Sequence, residues 1–264
     1  MVALSGSTGS VGSSLLALLL ERSDVSRIYL LNRKGRGTQK ERQGKAFREK
    51  GLDPQVLDDN RFKIVYLEVD LSRRDLGLAS QDYKDVSHVL SMLRFSSRTL
   101  QLRDNVTHII HSAWLLNFNL ILESYERVHI AGVRHLIDLA LASPQHQTPR
   151  LTFLSSIAAV AKYQGQSNRD TQGTATTQVF VPEGPIDDPS VPLDQGYGQS
   201  KYVSERILVN AVQARLRATI MRLGQLSGAT KDGSWAFTES VPIIFRSSFA
   251  LGIIPDDLPV SYNE

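Results

Sequence analysis

The stretch Leu4-Ser5-Gly6-Ser7-Thr8-Gly9-Ser10-Val11-Gly12 determines how we interpret this 264-residue chain. It places a G-x-x-G-x-x-G pattern between a predicted strand, Val2 to Leu4, and a predicted helix, Val11 to Arg22. Glycine is needed where the chain turns sharply, where the backbone approaches a pyrophosphate, and where the helix packs on the strand; the helix N-terminus then faces the phosphates. The pattern predicts a dinucleotide-binding loop, the alternative being a glycine turn without a ligand.

Short apolar segments alternate with helical patterns beyond this loop. The further predicted strands are Arg27 to Leu31, Phe62 to Leu67, His108 to His111, Leu151 to Leu154 and Thr219 to Arg222. The further predicted helices are Thr38 to Gly51, Val86 to Leu93, Leu120 to Ala142 and Gly198 to Leu216. Because parallel crossovers are right-handed, this order predicts an α/β fold, a Rossmann-like doubly wound parallel sheet with helices on both faces and ligands at the carboxyl ends of the strands.

The alternation stops after Arg222, which suggests a division of the chain. We expect residues 1–228 to form the dinucleotide-binding domain and residues 229–264 to form a tail or part of a substrate lobe. Residues 164–192 are rich in Gln, Thr, Gly and Pro and predict a long surface loop. Since this loop precedes the helix that carries Tyr197, we expect it to border the active site.

Composition and charge exclude several classes of protein. The chain has no cysteine, which excludes disulfide frameworks and thiolate metal sites and suits a reducing, cytoplasmic location. The apolar run from Leu15 to Leu20 is far shorter than the roughly 18 residues of a membrane span, so no membrane partner is expected. Residues 33–50 hold 8 basic and 2 acidic residues, so the net charge of +3 is local and predicts no nucleic-acid partner. The histidines lack ligand-spaced partners, and no metal site is expected.

The end of the second predicted strand indicates which cofactor fits. Arg33 stands where an acidic residue would accept a hydrogen bond from a ribose 2′-hydroxyl, and its guanidinium suits a 2′-phosphate instead. NADPH is therefore the predicted cofactor, with Arg42 as a second phosphate ligand. Asp70, after the third strand, is placed near the adenine, although an Asp there is also a common helix cap. The predicted cofactor-binding residues are Gly6, Thr8, Gly9, Ser10, Val11, Gly12, Arg33, Arg42, Asp70, Leu71, Ser112, Ala113, Trp114, Tyr197 and Lys201.

Tyr197 and Lys201 predict a catalytic site. They are four residues apart, so on a helix they lie on the same face. An ammonium beside a phenol favours the phenolate, so we expect Lys201 to lower the pKa of Tyr197 from its ordinary value of about 10. Tyr197 is the predicted general acid, and Ser156, at the end of the fifth strand, is expected to hydrogen-bond the substrate oxygen. A Y-x-x-x-K pattern taken alone fits a core aromatic and a surface charge equally well.

At these residues the chain resembles the extended short-chain dehydrogenase/reductases. Within them it is similar to the thioester reductase domains of fungal nonribosomal-peptide-synthetase-like enzymes, aminoadipate reductases and carboxylic acid reductases. The resemblance is carried by Leu4–Gly12, Leu31–Arg33, Val69–Ser72, Leu76–Leu78, His111–Asn119, Gly132–Ile137, Gly196–Lys201 and Arg222–Gly228. The narrowest motifs are H-x-A-W-x-x-N-F-N and G-Y-G-Q-S-K. One departure is His129, which stands where many extended members have an asparagine.

The resemblance implies NADPH-dependent reduction of an acyl thioester held on the phosphopantetheine arm of a carrier protein or domain. Ser156 and Tyr197 would stabilise the oxyanion, Lys201 would adjust Tyr197 and hold the nicotinamide ribose, and a thiohemiacetal would collapse to an aldehyde. The family continues beyond Leu258 into a substrate lobe, so we expect that lobe to be incomplete here and the chain to be a domain of a larger synthetase or a gene fragment. The alternatives are a non-catalytic NADP(H)-binding module or inactive remnant, and an extended reductase or epimerase that acts on a free small molecule.

Overall fold

A computed structural model describes residues 1–78, 102–144, 148–164, 180–229, 233–235, 237 and 239–256. Within these residues six parallel strands form one sheet in the order β3-β2-β1-β4-β5-β6. The strands are β1 (Val2–Ser5), β2 (Ile28–Asn32), β3 (Ile64–Glu68), β4 (His108–His111), β5 (Arg150–Ser156) and β6 (Arg217–Leu223). The sequence order and the parallel pairing confirm the predicted doubly wound sheet.

Helices connect the strands. They are α1 (Ser10–Glu21), α2 (Gln39–Glu49), α3 (Gln55–Asp59), α4 (Glu123–Tyr125), α5 (Ala131–Leu141), α6 (Gly196–Gln213) and α7 (Ser240–Leu251). A π-helical turn, Glu126–Ile130, joins α4 to α5, and a 3₁₀ turn, Ile157–Ala159, follows β5. The predicted helix from Val86 to Leu93 lies outside the described residues. None of the helices in the described ranges has both the length and the apolar character that a membrane span needs.

The core lies on both faces of the sheet, because side chains of a strand alternate between its two faces. In β1, Ala3 packs in one apolar cluster with residues of α5 and α6, whereas Val2 and Leu4 pack in a second cluster with residues of α1. All four residues of β1 and all five of β2 are buried. Burial on both faces is typical of the central strands of an α/β sheet, and it confirms the prediction of helices on both sides.

The direction in which successive strands are added to the sheet reverses at β1. This reversal indicates where a ligand-binding crevice lies. The chain adds β2 and β3 on one side of β1, then crosses from β3 to β4 on the other side of β1 and continues outward to β5 and β6. In open α/β sheets the crevice at such a reversal, outside the carboxyl ends of the strands, is where ligands bind. The loop after β1 and the loop after β4 meet at this crevice. The predicted division at residue 228 stays a prediction.

The helical glycines give a matched test of this packing. A β-carbon on Gly12 would lie 2.0 Å from the carbonyl oxygen of Gly6, whereas one on Gly44 would meet only the end of the Arg48 side chain, at 3.7 Å. We expect Gly12→Ala to lower the free energy of unfolding by about 1–3 kcal/mol, the cost of overpacking. Gly44→Ala is expected to raise it by about 1 kcal/mol through helix propensity. Urea unfolding of the two variants measures both effects, and a Gly12→Ala protein as stable as the parent would contradict the packing.

Candidate functional site

The glycine loop joins β1 to α1 through contacts that only glycine allows. Gly6 has φ +74°, and a β-carbon there would lie 2.7 Å from the amide nitrogen of Ala113. The Gly9 amide donates to the Gly6 carbonyl at 2.9 Å, and Gly9 is the N-cap of α1. No side chain of the described residues caps α1. Its first-turn amides, on Ser10, Val11 and Gly12, are thus oriented toward the crevice, where a phosphate would accept from them.

A buried polar network centred on Ser7 fixes the shape of this loop. The Ser7 hydroxyl donates to Gln43 Oε1 and accepts from Asn32 Nδ2, both at 2.7 Å. The Ser7 carbonyl accepts from Ser13 Oγ and Gln43 Nε2, both at 2.9 Å. These bonds tie the loop to β2 and α2. The sequence carries no signal for this network, because its side chains are chemically ordinary and only the tertiary fold brings them together.

The structure brings the two predicted phosphate ligands together. Arg33 follows β2 and is exposed, and Arg42 lies one turn into α2, which begins with a capping box between Thr38 and Glu41. The Arg42 guanidinium donates to the Arg33 carbonyl at 2.7 Å. The Arg42 guanidinium and the exposed residue Arg33 therefore both lie at the carboxyl end of β2.

Asp70 and Leu71 make local contacts after the end of β3. Asp70 Oδ1 accepts from the Ser72 amide at 2.9 Å and from the Ser72 hydroxyl at 2.6 Å, so it caps a local turn. The hydrogen bond from the Ser72 side chain is the main cause that lowers the pKa of Asp70. Leu71 packs in the core against Gly132, and its carbonyl accepts from His135 Nδ1 at 2.8 Å. The Leu71 side chain is thus buried in the core, and the prediction that Leu71 contributes to cofactor binding stays a prediction.

The predicted catalytic residues Ser156 and Tyr197 do meet. Ser156 ends β5, where its hydroxyl accepts from the Ala158 amide at 3.2 Å. Tyr197 is in the first turn of α6 and is hydrogen-bonded to Ser156. A β-carbon on Gly198 would lie 2.7 Å from the Ala158 carbonyl, so glycine lets α6 approach the end of β5 closely. Two hydroxyl groups thus lie side by side at the carboxyl end of the sheet.

Lys201 is on the same helix face as Tyr197, but its ammonium faces the sheet. Its Nζ donates to the Leu154 carbonyl at 2.6 Å and lies 4.0 Å from the Trp114 ring centre, 4.7 Å from that of Phe153 and 5.9 Å from that of Tyr197. Burial lowers the pKa of Lys201 to about 7. Burial raises the pKa of Tyr197, and the bond to Ser156 offsets this only in part. The expected lowering of the Tyr197 pKa is therefore wrong for this geometry, because the lysine is remote from the phenol and weakly charged.

Neutral rings surround Lys201. His111 is fully buried, its Nδ1 lies 2.7 Å from the Ser5 hydroxyl, and burial lowers its pKa to about 3. His129, in the π-helical turn, lies 4.9 Å from Trp114 between ring centres, and burial lowers its pKa to about 4. Among the described residues, His111 Nε2, Trp114 Nε1 and His129 Nδ1 are buried without a hydrogen-bond partner. The two histidines thus add no positive charge beside the lysine at neutral pH.

A buried ion pair supports the site from behind. Arg222 on β6 contacts both carboxylate oxygens of Glu205 on α6, and its closest approach is 2.8 Å. The Ser155 hydroxyl donates to the same carboxylate at 2.5 Å, and Arg222 also donates to the Gly184 carbonyl at 3.1 Å. Glu205 lies four residues after Lys201, and its charge partly offsets the fall in the lysine pKa. The i, i+4 spacing from Lys201 places Glu205 on the same helix face, but the pairing with Arg222 depends on how α6 packs against β6 and has no signal in the sequence.

Chemically, this arrangement is suited to a dinucleotide and a carbonyl. The glycine loop and the two arginines supply donors for phosphates, and Ser112 and Ala113 donate their amides to the Ser5 hydroxyl at 3.2 and 3.3 Å, which keeps the β4 loop beside β1. The Ser156 and Tyr197 hydroxyl groups supply two donors for one oxygen. Such pairs stabilise negative charge that develops on a substrate oxygen.

Comparison with known proteins shows the family. The model of the Male sterility protein family matches residues 4–262. The chain belongs to this family. The dinucleotide-binding class predicted from the glycine loop is therefore confirmed, and the preference for NADPH stays a prediction.

Two curated relatives of this Male sterility family member are named as reductases, and one similar solved structure is a terminal R domain. Adenylate-forming reductase Nps10 of Heterobasidion annosum is 40% identical over 258 residues, 97% of this chain and 21% of that protein. A carboxylic acid reductase of Neurospora crassa is 32% identical over 260 residues, 98% of this chain and 21% of that protein. The crystal structure of the terminal R domain from the myxalamid PKS-NRPS biosynthetic pathway is 25% identical with a TM-score of 0.70, over 96% of this chain and 56% of that one. The chain spans about a fifth of the length of these curated relatives, and the predicted kinship with reductase domains is confirmed.

The burial of Lys201 predicts a pH dependence of stability. Its pKa is about 7 in the folded protein and 10.5 ordinarily, so between these values the unfolded chain binds more protons. The free energy of unfolding should therefore rise with pH over this window, by up to about 1.4 kcal/mol per pH unit from this group. Lys201→Met should remove that rise, whereas Lys45→Met, at an exposed position on α2, should retain it. Urea unfolding from pH 7 to 10 measures the slopes, and equal slopes for Lys201→Met and the parent would disprove the lowered pKa.

Proposed function

We propose that this protein reduces an acyl thioester to an aldehyde with NADPH. The observation that carries the proposal is the pairing of Ser156 with Tyr197 at the end of β5, beside the glycine loop. Two hydroxyl donors for one oxygen, next to a nucleotide crevice, suit hydride addition to a carbonyl. The relatives named adenylate-forming reductase and carboxylic acid reductase agree with reduction at the carboxyl oxidation level.

The residues present fit a bound NADPH. Gly6 and Gly12 let the loop approach Ala113 and fold closely on itself, which holds the uncapped start of α1 at the crevice, where it suits a pyrophosphate. Arg33 and Arg42 would hold the 2′-phosphate, and Lys201 would approach the nicotinamide ribose. When bound, the cofactor supplies the hydride that reduces the thioester carbonyl carbon.

The chain's own residues stabilise the negative charge on the substrate oxygen and supply its proton. As the carbonyl carbon accepts the hydride, its oxygen becomes negative and receives hydrogen bonds from Ser156 and Tyr197. Tyr197 gives its proton to that oxygen and forms a neutral thiohemiacetal, and it regains a proton afterwards. The raised pKa of Tyr197 keeps the phenol protonated at neutral pH, as a general acid requires. The carbon–sulfur bond then breaks, and the products are an aldehyde and a free thiol.

The substrate is proposed to arrive on the phosphopantetheine arm of a carrier protein or domain. The similar terminal R domain comes from a PKS-NRPS pathway, and the resemblance at His111–Asn119 and Gly196–Lys201 points to the same class of substrate. A thioester is also the chemically suitable donor, because a thiol leaves readily from the thiohemiacetal.

Removal of the Tyr197 hydroxyl tests the reaction. Tyr197→Phe should lower kcat by about 100-fold or more, because general acid catalysis contributes 10²–10⁴-fold, while NADPH still binds. Tyr202→Phe, at a buried position on the same helix, should keep most of the activity. The measurement is NADPH oxidation with a loaded carrier or an acyl-pantetheine thioester. Unchanged oxidation in Tyr197→Phe would refute the role of Tyr197, and NADPH binding without turnover on any thioester would favour the non-catalytic module.

Removal of the Arg33 guanidinium tests whether the protein prefers NADPH to NADH. A charged hydrogen bond contributes about 1.5–3 kcal/mol, so Arg33→Ala should weaken NADPH binding by about 10- to 100-fold and leave NADH binding nearly unchanged. Arg36→Ala, three residues further on and also exposed, is the matched control and should have little effect. Titration of both nucleotides by fluorescence gives the dissociation constants. Equal losses for NADPH and NADH would mean that Arg33 does not read the 2′-phosphate.

A further inference from the structure

An uncharged segment leads from the end of β4 to α4. Residues 112–122 contain no acidic or basic side chain. Several of their large apolar side chains are exposed, namely Leu115, Leu116, Phe118 and Ile121. A contiguous apolar surface beside a catalytic crevice is typical of a ligand-binding surface.

The segment is held in place at several points around Tyr197. At its start, the Trp114 ring lies 4.0 Å from Lys201 Nζ. In its middle, the Asn117 carbonyl accepts from the buried Tyr125 hydroxyl at 2.5 Å. At its end, the Leu120 carbonyl accepts from the Gly196 amide at 3.1 Å. The exposed apolar side chains are therefore presented by a fixed backbone.

Glycine at position 196 allows this close approach. A β-carbon there would lie 2.3 Å from the backbone carbon of Ile121. The residue immediately before Tyr197 is thus in direct backbone contact with the segment. The position of the segment relative to the Tyr197 hydroxyl is consequently set by the same helix turn that carries the tyrosine.

Phe118 is the member of this segment that contacts Tyr197. The two rings pack edge to face, with centres 5.2 Å apart and planes at 85°, and yet 54% of Phe118 is exposed. A carbonyl that accepts a proton from Tyr197 must lie within about 3 Å of the hydroxyl. The carbon chain attached to that carbonyl then comes within van der Waals reach of the Phe118 ring. The exposed face of this ring is apolar surface that an acyl chain would cover.

Resting on the proposed function, we infer that Phe118 is a specificity-determining residue that contacts the acyl chain of the thioester. With Leu116 and Ile121 it selects extended, uncharged acyl chains. A carboxylate on the acyl chain would meet no cation in residues 112–122, and burying it there would be costly. An acetyl group would be too short to cover the ring.

The test compares three N-acetylcysteamine thioesters, acetyl, octanoyl and succinyl, with saturating NADPH. The parent protein should prefer octanoyl over the other two. Phe118→Ala should lower kcat/KM for octanoyl by about 10- to 100-fold, as expected when an apolar ring contact is lost, and change that for acetyl by less than about threefold. Phe118→Leu should recover most of the octanoyl activity. Phe62→Ala is the control, since Phe62 is 78% exposed at the opposite edge of the sheet and should leave all three values unchanged.

Each result has a definite meaning. Equal losses for acetyl and octanoyl would show that Phe118 only orients Tyr197, which overturns the inference, as would no loss at all. A parent preference for succinyl would also overturn it. These outcomes leave the proposed function intact, because thioesters are still reduced. If the parent reduces no thioester, the proposed function fails, and the role of Phe118 fails with it. As a control for folding, Phe118→Ala is expected to unfold at the same temperature as the parent protein, since the substituted side chain is more than half exposed.

Discussion

The carboxyl end of the sheet, where the proposed catalytic residues lie, depends on the buried ion pair between Glu205 and Arg222. The pair joins α6 to β6, and Ser155 brings the end of β5 to the same carboxylate. These three elements carry or adjoin every residue of the proposed catalytic group. Loss of one partner of a buried pair leaves an uncompensated charge and costs about 3–5 kcal/mol. The ion pair and the hydrogen bond from Ser155 thus hold the end of β5 next to α6, the two elements on which Ser156 and Tyr197 lie.

The sequence predicted the sheet well because its determinants are local. Each β-strand is a short apolar run between turn residues, so β6 was placed at Thr219 to Arg222 and is observed at Arg217–Leu223. The glycine loop was equally readable, since its three glycines satisfy steric requirements within one turn. The meeting of Ser156 and Tyr197 followed from the same reasoning, because both stand at the carboxyl end of the sheet.

The sequence could not predict where long side chains point. The spacing of Tyr197 and Lys201 fixed their common helix face, but the lysine ammonium turns to the Leu154 carbonyl and two aromatic rings. That choice depends on how closely α6 approaches β5, which is a tertiary distance. The position of the Leu71 side chain has a similar origin. An apolar residue after a strand can face either the crevice or the core, and the packing of Gly132 against Leu71 shows that this side chain faces the core.

The groups that surround Lys201 are uncharged or paired. His111 and His129 carry no charge at neutral pH, and the Glu205 carboxylate is paired with Arg222. Because the effective dielectric constant in a buried site is low, a change in the charge of Lys201 has a large effect on the electrostatic energy of its neighbours. A cofactor ribose or a proton that reaches this lysine would therefore alter the site more than it would in water.

The π-helical turn at Glu126–Ile130 has a consequence for how the gene can change. A π turn contains one residue more than the α-helical turn it replaces, and here it lies between the tyrosine that anchors Asn117 and the helix α5 that packs on the sheet. Because the wider turn takes up the extra residue locally, deleting one codon in this stretch would leave an ordinary α-helical turn, in which Tyr125 keeps nearly the same orientation relative to α5. The anchor of the apolar segment would then stay in place. A second deletion would instead rotate Tyr125 by about 100° relative to α5, since a helix makes a turn every 3.6 residues, so the stretch tolerates the loss of one residue and not of two.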